Sequence, residues 1–239
     1  MPEQPSSSAA RDGRVARWAG QRCRRRAEIV DAAVDAIGAY GPGVSIDQIA
    51  AQAGIARPRL YRHFDDVEDL RRAVARRAGR ELFGAVTPVL SNPVGTPWSL
   101  IECSVEMFVT WLDGNADLYR YVKRSTGSSK SEADDVVTDI RGKLARWIGR
   151  ILADYFAVFE LDTRTADSIA FGLVGLVESA TNRWMSEPAE LTRDEFVATV
   201  ARCVWGVIEH TLQGGGVRLA PHESLPPLPL NEPDGVNGM

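Results

Sequence analysis

The sequence predicts an all-α protein of about nine helices, a small three-helix unit at the N-terminal end followed by a larger helix bundle. Three observations carry this. Apolar residues recur at helical spacing along most of the chain. No run shows the strict alternation of a half-buried strand. Turn-forming residues cut the pattern at Thr87-Pro88, Asn92-Pro93 to Pro97, Asp113-Gly114-Asn115, Gly127 to Ser131, Leu161-Asp162 and Glu187-Pro188. With 239 residues, 44% hydrophobic and 25% charged, the chain can bury a sizeable core and has an ordinary globular composition.

Residues 1–21 are rich in Ser, Ala, Gly and Arg and lack an apolar period, so a mobile basic arm is expected there. Arg11, Arg14, Arg17, Arg22, Arg24, Arg25 and Arg26 give it its charge. From Arg26 to Tyr40, residues Ile29, Val30, Ala33, Val34, Ile37 and Tyr40 share one helical face. Gly41, Pro42 and Gly43 stop that helix. Ser45 is placed to cap the next, whose apolar face is Ile46, Ile49, Ala50 and Ala53. Gly54 ends it, as a residue tolerant of the left-handed conformation does. Pro58 suits the first turn of a third helix, where its missing N–H would be unpaired anyway. Leu60 and Phe64 take the buried side of that helix. Asp66 can cap a fourth helix over 67–86, with Asp69 in its first turn and Leu70 and Val74 inward. Further helices are expected near 98–112, 116–125, 133–159, 163–186 and 192–212. The Gly- and Pro-rich residues 213–239 predict an irregular tail.

Charge is divided along the chain. Residues 1–80 hold 15 Lys and Arg against 10 Asp and Glu, a net of +5; residues 81–239 hold 13 against 22, a net of −9. A basic third before an acidic remainder fits a nucleic-acid-contacting end joined to a body that makes no such contact. Cys23, Cys103 and Cys203 are odd in number and far apart, which predicts reduced thiols rather than a disulfide framework or a zinc site. No apolar stretch has transmembrane length and no signal-peptide core is present, so a cytoplasmic protein is expected. A Gly-rich phosphate loop, H-E-x-x-H, G-x-S-x-G and a clustered His/Cys set are all missing, which argues against an enzyme, a metal site and a cofactor.

The second and third helices, Ser45 to Phe64, have the plan of a helix-turn-helix, whose second helix enters the DNA major groove N-terminus first. Arg57 and Arg59 lie at that end, where each can pair with guanine O6 and N7. The residues Ala50, Ala53, Gly54, Ile55, Ala56, Arg57, Pro58, Leu60, Tyr61, His63, Phe64, Glu68, Asp69 and Leu70, in this order and spacing, resemble the DNA-binding domain of the TetR family of bacterial transcriptional regulators. The resemblance covers about residues 22–80. It implies that Ser45, Ala56, Arg57, Pro58, Arg59, Tyr61, Arg62 and His63 face a double-stranded DNA operator, with Ser45, Tyr61 and His63 on phosphates. Two positions depart from the family. Ala56 stands where serine is common, and Val67 where a phosphate-binding lysine is common. The basic arm is the expected substitute for that lost charge.

The resemblance further implies a C-terminal ligand-binding and dimerisation bundle over 81–212. Small residues Ala170, Gly172, Gly175, Ser179 and Ala180 and the apolar Phe196, Val200, Val204, Trp205, Val207 and Ile208 suit a two-fold four-helix dimer seam. Phe108, Trp111, Ile151, Tyr155, Phe171, Val174 and Trp184 are the predicted lining of an apolar effector site, although such a stripe also suits a plain core. The last two long helices also resemble those of regulators of fatty-acid metabolism. The sequence reading is thus a homodimeric repressor released by a fatty acid or acyl-CoA, nucleoid-associated when bound to DNA. The alternatives are an activator, a co-ligand-dependent regulator, a flat aromatic effector, or an interaction module that binds no DNA.

Overall fold

The computed structural model describes residues 7–91, 95–123, 132–186 and 190–228. Residues 1–6, the side chains of Arg11, Arg14 and Arg17, the breaks at Asn92-Pro93, Gly127 to Ser131 and Glu187-Pro188, and residues 229–239 lie outside the described residues. Within them are nine α-helices and no strand. They are α1 Ser7–Tyr40, α2 Ile46–Gln52, α3 Arg57–Leu60, α4 Val67–Ser91, α5 Pro97–Gly114, α6 Ala116–Lys123, α7 Glu132–Val158, α8 Ala166–Ser186 and α9 Arg193–Gly214. A short 3₁₀ turn, Thr163–Thr165, leads into α8.

Two elements run further than the sequence suggested. Helix α1 begins at Ser7, so the expected irregular arm is helical from there. Residues 7–21 contain no proline and are rich in Ala and Arg, both good helix formers that extend a helix already nucleated downstream. Helix α4 continues through Pro88 to Ser91. Proline there costs one hydrogen bond, to the carbonyl of Gly84, and Gly84 is exposed to solvent that can replace it.

The chain divides into two compact units. The first holds α1, α2, α3, the start of α4 to Ala78, and α6. The second holds α4 from Gly79, α5, α7 from Val137, α8 and α9. The assignment of α6 departs from the expected single boundary near residue 80. Its amphipathic face, Leu118, Tyr121 and Val122, is buried, and the helix packs on α1. The Arg71 guanidinium lies 5.9 Å from the Tyr121 ring centroid.

In the first unit Ile29, Ala33 and Ile37 of α1, Ile49 of α2, Leu60 of α3, and Leu70 and Val74 of α4 are wholly buried. Gly41 and Gly54 adopt φ of 79° and 63°, which let the chain turn sharply before α2 and after it. One charged contact joins the elements. Arg26 of α1 donates from Nη1 to the His63 carbonyl at 2.5 Å and from Nη2 to Asp69 Oδ1 at 2.6 Å. Its guanidinium sits 4.2 Å over the Phe64 ring. Asp69, only 8% exposed, also accepts from the Asp65 N–H at 3.2 Å and lies 3.6 Å from Arg72. Arg26 therefore faces inward, and the sequence assignment of it to the DNA-contacting arm is corrected. The paired Phe64 and Asp69 give it a packed, hydrogen-bonded site that an exposed position lacks.

In the second unit α5 and α9 pack along their length. Val105 and Val109 meet Phe196, Val197, Val200 and Val204, with Leu173 of α8 completing the cluster. Capping boxes start α5 at Thr96 and Ser99, and α9 at Thr192 and Glu195. Gly149 lets α7 approach α8 closely, since a Cβ there would lie 3.2 Å from the Asp167 Cα. The tail after α9 is irregular but packed. Val217 and Leu219 lie against the Phe156 and Trp205 cluster, and the Trp98 N–H donates to the Pro221 carbonyl at 2.9 Å. His222 lies 6.0 Å from the Trp98 ring.

The buried pair sets the first prediction. Arg26→Met leaves the Asp69 carboxylate and the His63 carbonyl without their donor, a loss of about 1–3 kcal/mol readable in urea unfolding. The Arg26 hydrogen bond, opposed by burial, holds the Asp69 carboxyl below its ordinary value. Its stabilisation is thus full above the unfolded carboxylate range, about pH 4, and is lost as pH falls through the lower folded value. Asp69→Asn should flatten that acid limb; an unchanged limb would show the pair to be incidental.

Candidate nucleic-acid interface

The helix-turn-helix is α2, a turn over Ala53 to Ala56, and α3. Its first helix is closed by a full capping box. Ser45 Oγ accepts from the Gln48 N–H at 3.2 Å, and Gln48 Oε1 accepts from the Ser45 N–H at 2.8 Å. The Ser45 hydroxyl also donates to Gln48 Oε1 at 3.0 Å, so capping already occupies the residue assigned to a phosphate.

Helix α3 is a single turn of regular helix, RPRL, with Ala56 as its extended N-cap and Pro58 in its first turn. Beyond Leu60 the chain continues in tighter turns, with the His63 N–H bonded to the Leu60 carbonyl at 2.9 Å. Leu60 and Phe64 anchor this stretch inward. Ala56, Arg57, Pro58, Arg59, Tyr61 and Arg62 are all exposed, and His63 is half-buried. Of the eight residues assigned to DNA, Ser45 and Ala56 cap the two helices, Arg57, Pro58 and Arg59 lie on α3, and Tyr61, Arg62 and His63 follow it in the turns beyond Leu60.

Two features of this face were not legible from spacing. Arg57 is held. Its Nη1 lies 3.2 Å from Asp47 Oδ2 on α2, and its guanidinium lies 5.9 Å from the Tyr61 ring. The second feature is a basic cluster around His63. Partial burial pushes the His63 imidazole below its ordinary value, and the nearby Arg25, Arg59, Arg22 and Arg26 lower it further. Arg22 and Arg25 of α1 thus stand beside the end of α3. Val67 supplies no charge at the start of α4, but these arginines do so close by.

The seven residues assigned to an effector site do not share one environment. Trp184 stacks on Phe196, rings 4.8 Å apart, and donates from Nε1 to the Leu191 carbonyl at 3.2 Å. It is part of the packed core. Phe171 is 38% exposed on the outer side of α8, so the expectation that it lines an interior space is corrected. Helical spacing did not reveal this, since α8 is apolar on nearly every side. Phe108, Ile151 and Val174 are half-buried, and Tyr155 is buried. Trp111 Nε1 and Tyr155 Oη are buried with no hydrogen-bond partner. Burial alone pushes the Tyr155 hydroxyl up from its ordinary value. A separate cavity of about 370 Å³ is lined by Ser99, Glu102, Cys103, Glu106, Asp194 and Val197. None of the seven borders it, and its three carboxylates make it unlike the apolar space expected. Cys23, Cys103 and Cys203 are free and exposed, and the described residues hold no cluster suited to a metal.

Residues 29–74 match the model for bacterial regulatory proteins of the tetR family. The chain is 30% identical over 225 residues to an uncharacterized HTH-type transcriptional regulator of Mycobacterium tuberculosis, covering 92% of this chain and 94% of that protein. It is 25% identical over 197 residues to the HTH-type transcriptional activator FasR of Mycolicibacterium smegmatis, covering 79% and 85%. Its fold is similar to that of FadR from Bacillus subtilis, solved in complex with stearoyl-CoA, with a TM-score of 0.56 and 19% identity over 76% of this chain and 96% of that one.

Two outcomes are expected at this face. Arg59→Ala should cost about 1–3 kcal/mol on the preferred duplex and relax one base position per half-site. Equal loss on random DNA would mark Arg59 as a phosphate contact instead. For His63, a nearby phosphate opposes the arginines and favours the imidazolium, so DNA binding should take up a proton. Affinity should then rise as pH falls from about 7.5 to 6, through the ordinary imidazole range, and His63→Gln should remove most of that slope. Identical slopes for the two proteins would place the proton elsewhere.

Proposed function

This chain belongs to the TetR family of bacterial regulatory proteins, and we propose that within it the protein is a repressor released from a palindromic operator by a long-chain fatty acyl compound. The family consists of transcriptional regulators that bind DNA and act as dimers, and the chain is such a regulator rather than an enzyme. The observation that carries the DNA-binding part is the exposed cationic start of α3, with the stretch that follows it anchored at His63 by Arg26. In the proposed complex Arg57 and Arg59 meet bases, while Tyr61, Arg62 and His63 meet phosphates, with Ala56 and Pro58 against the backbone. For Ser45 to meet a phosphate, its hydroxyl turns its proton from Gln48 Oε1 to a phosphate oxygen.

For the dimer, the proposed seam is the outer side of α8 and α9. Phe171 and Val207 are exposed there by 38% and 40%, beside Gly172 and Gly206, whose small size admits a close partner helix. Two such subunits set recognition helices one DNA turn, about 34–36 Å, or a multiple apart.

An apolar effector is supported by Trp111 Nε1 and Tyr155 Oη, two unpaired buried donors in a unit otherwise packed with aliphatic and aromatic groups. Unpaired donors of this kind cost free energy that an acceptor on a ligand recovers. Phe108, Ile151 and Val174 are the remaining proposed apolar contacts. FadR, of similar fold, holds stearoyl-CoA. The chain passes between the two units three times, within α4, between α5 and α6, and within α7. A ligand that shifts the second unit acts on α3 through those passages. The described residues contain no helix long and apolar enough to cross a membrane, and the proposed location is the cytoplasm, on the nucleoid when DNA-bound. An activator is the second reading, favoured by the similarity to FasR.

Footprinting on DNA flanking its own gene, followed by transcription with the purified protein, separates repressor from activator. The effector is tested by operator release across an acyl series. Each added CH₂ should strengthen the effect by about 0.8 kcal/mol where fully buried. Release that ignores chain length would sink the acyl reading and leave a flat aromatic compound as the better candidate.

A further inference from the structure

We propose that Asp47 is a specificity-determining residue that acts through Arg57. It is a positioning residue on α2, and it fixes the direction from which the Arg57 guanidinium meets a base. The inference rests on the reading that α3 enters the major groove. It goes further by assigning a role to an acidic residue on a face that must approach phosphates.

The geometry is specific. Asp47 Oδ2 and Oδ1 lie 3.2 and 3.5 Å from the same nitrogen, Arg57 Nη1. Nε and the second terminal nitrogen, Nη2, are left to form the two-donor edge that guanine O6 and N7 accept. The Tyr61 ring lies 5.9 Å from the guanidinium carbon. Arginine is rotamer-rich, and an unheld guanidinium loses that freedom on binding. Between Asp47 and Tyr61 part of that freedom is removed beforehand. Arg59, two residues on, has no ion pair to a carboxylate among the described residues.

Two alternative roles for the carboxylate are weaker. The pair is open to water, with the side chains 53% and 67% exposed, and a pair of that kind adds little to fold stability. Asp47 also lies in the first turn of α2, where a carboxylate suits the helix dipole. That end is already closed by the Ser45 and Gln48 capping box, so the helix does not depend on Asp47. A carboxylate here meanwhile repels DNA phosphates of any sequence. Its two effects on binding are therefore opposite in sign, lowering affinity in general and sharpening preference.

The test uses the full-length dimer of the wild type, Asp47→Ala, Asp47→Asn and Arg57→Ala. Each is used to select duplexes from a randomised library, and affinity is then measured for the wild-type consensus and for random duplex. For Asp47→Ala, affinity for random duplex should rise while the consensus-to-random ratio falls on the order of tenfold. The information lost should sit at the same base position that Arg57→Ala loses. Asp47→Asn keeps an oxygen acceptor for Nη1 and should restore most of the preference, while also raising affinity for random duplex. Far-UV circular dichroism and the thermal midpoint should match the wild type in all three variants. If Arg57→Ala loses the position and Asp47→Ala keeps it, the positioning role is overturned and only the reader stands. If Arg57→Ala itself keeps the wild-type consensus, the failure lies in the reading of α3, and the proposal falls with it.

Discussion

Arg26 donates to the His63 carbonyl and to Asp69 while lying over the Phe64 ring, and the exposed basic side chains around α3 are placed relative to that contact. Helix α3 is too short to hold itself, since one turn of helix does not repay the cost of nucleating it. Its two ends are fixed by other elements. Leu60 and Phe64 are buried beneath it, and the carbonyl at its far end is tied to α1. Asp69 gathers the remaining strands of the knot, taking Arg26, Arg72 and the Asp65 N–H on one carboxylate. A charge so buried is tolerable only because its acceptor sites are filled. The same filling makes the arrangement specific, because a shifted α1 takes the Arg26 donor from both the carboxylate and the His63 carbonyl.

The arginines of this unit consequently divide by depth. Arg26 and Arg72 are spent on the fold, whereas Arg22, Arg25, Arg59 and Arg62 remain at or near the surface. Partial burial, and after it the charges of Arg25, Arg59, Arg22 and Arg26, lower the His63 imidazole from its ordinary value. In the proposed complex, DNA reverses that local balance by bringing phosphates among the arginines. The basic cluster is thus poised for a polyanion and unfavourable without one.

The helical plan was largely legible, because it rests on spacing and caps. Ile29, Ala33 and Ile37 recur one turn apart and are all buried; Ser45 caps α2 as its place before the apolar run suggests, and Gln48 completes the box. What spacing does not encode is what lies opposite a residue. Arg26 reads as one more basic side chain in an arginine run until Phe64 and Asp69 are placed beside it. Trp184 and Phe171 both read as lining, yet one stacks on Phe196 and the other points outward. The fate of residues 7–21 follows from a similar blindness, since no apolar period is needed to continue a helix already nucleated downstream. Pro88 misleads for the opposite reason: a proline is a strong breaker on average, but its cost is one bond near a helix end where solvent is at hand.

The division of the chain bears on how the proposed effector acts. A boundary after the helix-turn-helix would leave α4 as the sole passage between units. Instead α6 belongs with α1 and α3, so the chain leaves the second unit at Asn115 and returns to it within α7. The passage at Asn115 is short and tied. Its side chain donates to the Trp111 carbonyl at 2.9 Å, and its N–H donates to the Leu112 carbonyl at 3.2 Å. Trp111, whose indole N–H is buried and unpaired, is thus one helical turn from the start of α6. In the proposed mechanism a ligand acceptor that pairs with this indole would act on the last turn of α5, and α6 in turn is packed on the helix that carries Arg26. The linkage works in both directions. In the proposed regulator, whatever factor the ligand takes from DNA affinity, DNA must take from ligand affinity, because linkage is reciprocal.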